Sequence, residues 1–255
     1  AILAAMGVVS PGERPGGPPP GGRQDLPLPV RSLKILVAED NEVNQLVSRG
    51  ILESRGHRVT IAGNGREALH ALATADFDIV VMDLQMPELD GLAATRQIRD
   101  PQSPVRNHRV PIVAMTAHSM KGDRERCVEA GMDGYVAKPL TSLSLLQEVH
   151  RLAGVGGLAP ASPSRDKQEG TEIVFDRAQA LERFAGDEEL LGKVVSAFFA
   201  AVPGQVQEAR GALERERDDE LAGIAHTLKG MLGNLAAPAA QRAAIEAWAA
   251  REGVT

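Results

Sequence analysis

One cysteine, Cys127, and 3% aromatic residues are the most visible shortages in this chain of 255 residues. A lone thiol excludes a disulfide framework and a cysteine-built metal centre. It also fits a reducing compartment. With so few rings, any core must be aliphatic and rich in alanine. No apolar run reaches the roughly 18 residues that cross a bilayer. The opening AILAAMGVVS is apolar but short, has no basic residue before it, and makes a poor signal peptide. Basic runs are missing as well, and the formal net charge is −6, so nothing suggests binding to nucleic acid or to an anionic membrane surface. What is present is an ordinary globular balance, 43% hydrophobic and 24% charged, enough for one large or two small domains. The chain does not open with Met, as expected of a piece of a longer protein.

Proline and glycine are concentrated in two places. PGERPGGPPPGGRQDLPLPV (11–30) cannot build a core, so residues 1–31 read as a linker. GVGGLAPASPSRDKQEGTE (154–172) has no apolar period and marks a second linker over 154–174. At roughly 5–6 Å × √n, about 19 flexible residues span about 25 Å, so the flanking domains can meet or part. Between the linkers, 32–153, short apolar runs alternate with helical patterns. LKILVAED (33–40), HRVTIA (57–62), FDIVVMD (77–83), VPIVAMT (110–116) and DGYVAKP (133–139) read as strands. Five such runs alternating with five helices predict an α/β, doubly wound parallel sheet, with ligands at the carboxyl ends of the strands.

Those ends carry the chemistry. Glu39 and Asp40 close the first strand, Asp83 the third, Thr116 the fourth and Lys138 the fifth. Three carboxylates on one face repel one another and stay charged only beside a cation. Hard oxygen donors without Cys or His suit Mg²⁺. A divalent ion, a carboxylate and a lysine make a site for phosphoryl transfer, in which positioning and charge neutralisation do most of the work. Asp83 is then the nucleophile, forming an aspartyl phosphate. Thr116 and Lys138 are set to bind phosphoryl oxygens. A competing pattern, GNGREA (63–68), fits G-x-G-x-x-A with Asp83 twenty residues beyond Gly63, as in dinucleotide sites. It follows the second strand and leaves Asp40, Thr116 and Lys138 unexplained. A turn into a helix is the simpler reading.

Glu39/Asp40, VVMDLQMPELDG, MTAHSM and DGYVAKPL closely resemble, in order and spacing, the receiver domain of two-component response regulators, over residues 33–152. The resemblance implies a flavodoxin-like fold with Asp83 phosphorylated. It implies Mg²⁺ held by Glu39, Asp40, Asp83 and the Gln85 backbone carbonyl. Thr116 and Tyr135 would be the switch residues, and the Lys138–Pro139 bond cis. DNEVNQ after the acids is similar to receivers attached to hybrid sensor kinases.

From Phe175 the pattern is helical. EELLGKVVSAFFAAVPGQVQEARGAL reads as one helix, bent near Pro203. DDELAGIAHTLKGMLGNL (218–235) is the next and AAPAAQRAAIEAWAARE (236–252) the last. Leu221, Ile224, Leu228, Leu232 and Leu235 recur at three- and four-residue spacing, a core stripe. His226 is two residues from Leu228, about 200° around the helix, so it faces away from the stripe. Lys229 and Gly230 share its face, with Gly223 and Gly233 to either side. Each internal glycine costs about 1 kcal/mol against alanine. Their shared effect is to bare the surface around an imidazole so that another protein can approach. Lys229 can neutralise a phosphate on that ring.

This segment resembles a histidine phosphotransfer (HPt) domain over about 175–252, within a domain expected over 175–255. The resemblance implies that His226 accepts a phosphoryl group from a receiver aspartate and passes it on, with Lys229 and Gly230 in support. Met231 departs from the small residue usual there. The family's four-helix bundle needs one more long helix, so a truncated domain, or one covered by another copy or a partner, is expected, with marginal stability. Taken together, the two resemblances imply the carboxyl-terminal part of a hybrid sensor histidine kinase. Its expected partners are a sensor kinase core, in the same or another chain, and the receiver of a downstream response regulator. The segment is expected in the cytoplasm, with a parent anchored in the inner membrane. No glycine-rich nucleotide lid appears, so the chain is not expected to use ATP itself. A stand-alone regulator with a helical interaction module is the alternative.

Overall fold

The structure is a computed structural model that describes residues 31–116, 121–155, 177–215 and 217–234. The linker expected over 1–31 lies outside the described residues except for Arg31. Of the linker expected over 154–174, only Gly154 and Val155 are described, and Val155 is buried. The expected last helix, 236–252, lies outside them as well.

Five parallel strands form one sheet in the order β2-β1-β3-β4-β5. The central strands are β1 (Lys34–Ala38), β3 (Ile79–Asp83) and β4 (Ile112–Thr116). Helices cover both faces of the sheet, which is why KILVA, IVVMD and IVAMT are almost unbroken apolar runs. The outer strands, β2 (Arg58–Ala62) and β5 (Gly134–Ala137), are partly exposed instead, each with one fully buried residue. Order and direction are those of the flavodoxin-like doubly wound fold.

The helices start where the sequence supplies caps. Asn41 caps α1 (Glu42–Glu53), Asn64 caps α2 (Gly65–Thr74) and Asp90 caps α3 (Gly91–Arg99), each side chain accepting from backbone N–H groups of the first turn. After α4 (Lys121–Ala130), a Thr141/Ser144 capping box opens α5 (Ser142–Leu152). The glycines of GNGREA form a turn into α2 beside edge strand β2: Gly63 N–H donates to Glu67 Oε2, and Glu67 N–H to Asn64 Oδ1. On one face of the sheet, α2, α3 and α4 contribute to a core that includes Leu72, Ile98 and Cys127.

The opposite core does not stop at the receiver-like unit. It runs from Val43, Val47 and Ile51 of α1 to Phe184, Leu190, Leu191, Val194 and Met231 of the C-terminal helices. These helices are α6 (Arg177–Arg183), α7 (Glu188–Glu214, with Pro203 inside) and α8 (Asp218–Asn234). A separate α6 was not legible in the sequence. Ala185 and Gly186 take positive φ, 54° and 81°, which ends that turn of helix, and Asp187 then caps α7. Both α7 and α8 pack on α1. Of the stripe expected to form the bundle core, Leu221, Ile224, Leu228 and Leu232 are half-buried and Leu235 lies outside the described residues, whereas Met231 is fully buried. Part of the apolar surface of these helices is therefore covered by α1 of the same chain.

Candidate functional site

Strand order reverses between β1 and β3, and the crevice there opens at the carboxyl ends of the strands. Asp83 ends β3 and is buried. Glu39 follows β1 with no exposed surface, and Asp40 is exposed beside it. Gly91 lets α3 begin hard against β3: a Cβ there would overlap the Asp83 carbonyl oxygen. One carboxylate oxygen from each of Glu39, Asp40 and Asp83 lies within 4.8 Å of the others. All are hard oxygen donors, as a Mg²⁺ ion requires. The Gln85 N–H donates to Asp83 Oδ1 at 3.4 Å, so the turn after β3 holds the Asp83 side chain from the loop side.

Lys138 closes the cluster. Its Nζ is 2.7 Å from Asp83 Oδ2 and 2.7 Å from Glu39 Oε2. Its backbone N–H donates to the carbonyl of Thr116, which ends β4 and is buried. The Lys138–Pro139 peptide bond is cis. Tyr135 lies on β5, 40% exposed, with the Arg124 guanidinium 5.3 Å from its ring centre.

The electrostatics follow from burial. Desolvation drives the Glu39 carboxyl up to about 7, with the Asp83 charge adding to the rise and Lys138 opposing it. Asp40, though its edge is exposed, is raised too, first by desolvation in the crevice and then by the Asp83 charge. Burial alone would lower Lys138, but the charges of Glu39 and Asp83 outweigh it and hold the ammonium above its ordinary range. A divalent cation in the crevice would oppose these rises and favour the ionised forms of Glu39 and Asp40.

The other expected site residues lie on α8. Gly223 is exposed, with nothing near its absent side chain. Gly230 faces α1, where a Cβ would stand 3.5 Å from Asn44 Nδ2. Gly233 is buried, and its carbonyl accepts from Arg183. The side chains of His226 and Lys229 lie outside the described part of the structure. Sequence reasoning did not single out Asn44, whose Nδ2 donates to Glu39 Oε1 at 2.7 Å. The only available signal was the amide-rich DNEVNQ following the acids.

Comparison with known proteins follows the same division. Residues 35–150 match the response regulator receiver domain family, and residues 193–250 match the Hpt domain family. The sensor histidine kinase GacS of Pseudomonas protegens is 32% identical over 206 residues, covering 80% of this chain and 22% of that kinase. The aerobic respiration control sensor protein ArcB of Escherichia coli is 28% identical over 218 residues, covering 83% of this chain and 27% of that protein. This chain therefore spans about a quarter of the length of these curated relatives. Among solved structures, the receiver domain of a Pseudomonas aeruginosa sensor histidine kinase, with magnesium coordinated in its active-site cleft, is 41% identical. That match covers 49% of this chain and 99% of the other, with a TM-score of 0.44. With both families matched in sequence order, on a parallel sheet followed by helices, the chain belongs to the two-component phosphorelay proteins, a receiver domain followed by an Hpt domain.

Proposed function

We propose that Asp83 takes a phosphoryl group from a kinase histidine and that His226 receives it from Asp83 for delivery to the receiver of a downstream response regulator. The observation that carries this reading is the convergence of Glu39, Asp40, Asp83 and Lys138 at one crevice, with Lys138 Nζ 2.7 Å from Asp83 Oδ2. In the first step an Asp83 oxygen attacks phosphorus, the P–N bond to the donor imidazole breaks, and an aspartyl phosphate forms. In the second, an imidazole nitrogen of His226 attacks, the P–O bond breaks and the carboxylate returns.

Glu39, Asp40, Asp83 and the Gln85 carbonyl would hold Mg²⁺, which when bound neutralises charge on the transferring group. Lys138, paired with Asp83, would follow that charge onto a phosphoryl oxygen. Thr116 and Tyr135 would respond to the phosphate, and Lys229 would balance it on α8, with Gly223, Gly230 and Gly233 leaving room for docking. Helix α8 packs on α1 of the receiver in the same chain, which favours transfer within one chain. The domains proposed are a receiver over 32–153 and an HPt domain from 175, in a parent that is a membrane-anchored hybrid histidine kinase acting in the cytoplasm. Among the described residues no helix is long and apolar enough to cross a membrane.

Intact mass after acetyl phosphate and Mg²⁺ tests the reading. Wild type and His226→Gln should each gain one phosphoryl group and Asp83→Asn none. An acid-labile, base-stable fraction should require both Asp83 and His226. Phosphorylation of Asp83 with no such fraction under any condition would instead make the helices an interaction module.

A further inference from the structure

Two asparagines of DNEVNQ connect the acidic site to the docked helix α8. Asn41 caps α1 through its Oδ1, 3.1 Å from the N–H groups of Val43 and Asn44, while its Nδ2 donates to Met231 Sδ at 3.4 Å. Asn44 is 4% exposed. Its Nδ2 donates to Glu39 Oε1 at 2.7 Å, and the same amide is what a side chain at Gly230 would meet, 3.5 Å from Nδ2 and 3.9 Å from Oδ1. The other Glu39 oxygen accepts from Lys138, which also bonds Asp83. A line of hydrogen bonds thus runs from Asn44 through Glu39 and Lys138 to Asp83, and Gly230 of α8 faces its outer end across the space a side chain there would fill.

The surroundings make this amide conspicuous. Beside it, Val47 and Ile51 of α1 share one apolar core with Leu190 and Val194. A buried amide in such a place costs free energy unless its hydrogen bonds are made. Asn44 bonds a carboxylate whose orientation decides the metal and lysine geometry. Gly230 is one helical turn beyond His226, so the turn that packs toward Asn44 adjoins the turn with the expected phosphoacceptor.

We propose that Asn44 is a positioning residue that couples docking of the HPt helix to the arrangement of the acidic site, with Asn41 and Met231 setting the helix register. When α8 is seated, Gly230 backs the Asn44 amide and Glu39 Oε1 stays turned toward it. When α8 leaves, or is crowded at position 230, the amide and then the carboxylate shift. By reciprocity, a cation on Glu39 favours the seated helix. The inference rests on the relay reading for its biological use, but the coupling itself can be measured without any phosphoryl transfer.

The test uses the full chain. Backbone amide signals are compared by NMR without metal, and MgCl₂ affinity is measured by calorimetry, for wild type, Gly230→Val, Asn44→Ala and the double variant. Gly230→Ala serves as control, since a Cβ at 3.5 Å fits. Gly230→Val should shift the Glu39 and Lys138 signals and weaken Mg²⁺ binding at least threefold, although residue 230 lies outside the receiver. In the Asn44→Ala background it should do neither. Met231→Leu, which keeps volume but loses the Asn41 bond, should move the same signals less. Unchanged Glu39 and Lys138 signals in Gly230→Val, or an equal effect with and without Asn44, would overturn the proposal. If Gly230→Val does not fold, Met231→Leu decides by the same signals. A chain that shows this coupling yet never phosphorylates His226 would sink the relay reading and leave the coupling standing.

Discussion

Leu190 of α7 fills the space that Gly50 leaves on α1: a Cβ on Gly50 would overlap Leu190 Cδ1. The receiver and the HPt helices thus meet as a knob in a hole. Gly50 carries the roughly 1 kcal/mol propensity cost of a mid-helix glycine to form that hole. Gly50→Ala should weaken docking and slow Asp83-to-His226 transfer by about tenfold, with acetyl-phosphate labelling of Asp83 changed by less than about threefold. Leu190→Ala in the same chain should recover most of the loss. Coupling between touching residues is typically about 0.5–3 kcal/mol. Rapid-quench phosphoryl transfer on the four variants measures it, and additive effects would refute the contact.

Magnesium should bind more weakly as pH falls. Glu39 must be ionised to bind metal, and burial pushes its carboxyl up to about 7. Proton and metal therefore compete in the neutral range. Calorimetric affinity should drop several-fold from pH 8 to pH 6, and Glu39→Gln should remove most of the pH dependence along with most of the affinity. At saturating metal the folded state gains about 2.7 kcal/mol at one hundred times Kd, read as a higher Tm that Asp83→Asn lacks.

Lys138→Met should be costly in the absence of metal. The lysine side chain is 9% exposed, and its partners Glu39 and Asp83 are 1% and 5% exposed. Breaking a buried ion pair by removing one member typically costs about 3–5 kcal/mol. Urea unfolding in EDTA should reveal a loss of that order. Excess MgCl₂ should return part of it, because the ion supplies the missing positive charge. An equal loss with and without Mg²⁺ would separate Lys138 from the metal site.

A second buried pair sets an acid limit on stability. His57 Nδ1 accepts from the Leu33 N–H at 3.3 Å, so its proton sits on Nε2, which donates to His150 Nε2 at 2.8 Å. Burial, with His150 adding, pushes His57 down to about 4; burial, with Arg55 adding, lowers His150. Both rings are therefore neutral when folded, whereas the unfolded chain takes up their protons near pH 6.5. The His57 contribution is complete above about pH 6.5 and is lost as pH falls toward 4, and the lowered His150 acts in the same direction. Between pH 6.5 and 4.5 wild type should lose more stability than His57→Gln, which starts lower at pH 7.5. Parallel pH profiles would contradict the assignment.

The acidic site was legible because each residue ends an apolar run, and a parallel sheet brings the ends of its strands to one face. Glu39, Asp83, Thr116 and Lys138 needed only that rule. Gly50, Asn41, Asn44 and the His57–His150 pair did not follow from it. Nothing in local spacing distinguishes a glycine that receives Leu190 from one that merely weakens a helix. Nor does it separate an asparagine bonded to Glu39 from one facing water. Met231 stood out as a departure from the small residue usual at that place in the resembled family, but its burial against α1 depends on a partner 190 positions away.

By itself the sequence determined the alternation of strands and helices, the caps that start them and the residues at the strand ends. These depend on periodicity and on short-range hydrogen bonding, which neighbouring residues control. Tertiary structure alone decided that the C-terminal helices close over α1, that Asn44 stands between Gly230 and Glu39, and that two histidines share a proton in the dark. Those outcomes depend on apolar surfaces far apart in the chain finding each other, and hydrophobic attraction carries no address in local sequence.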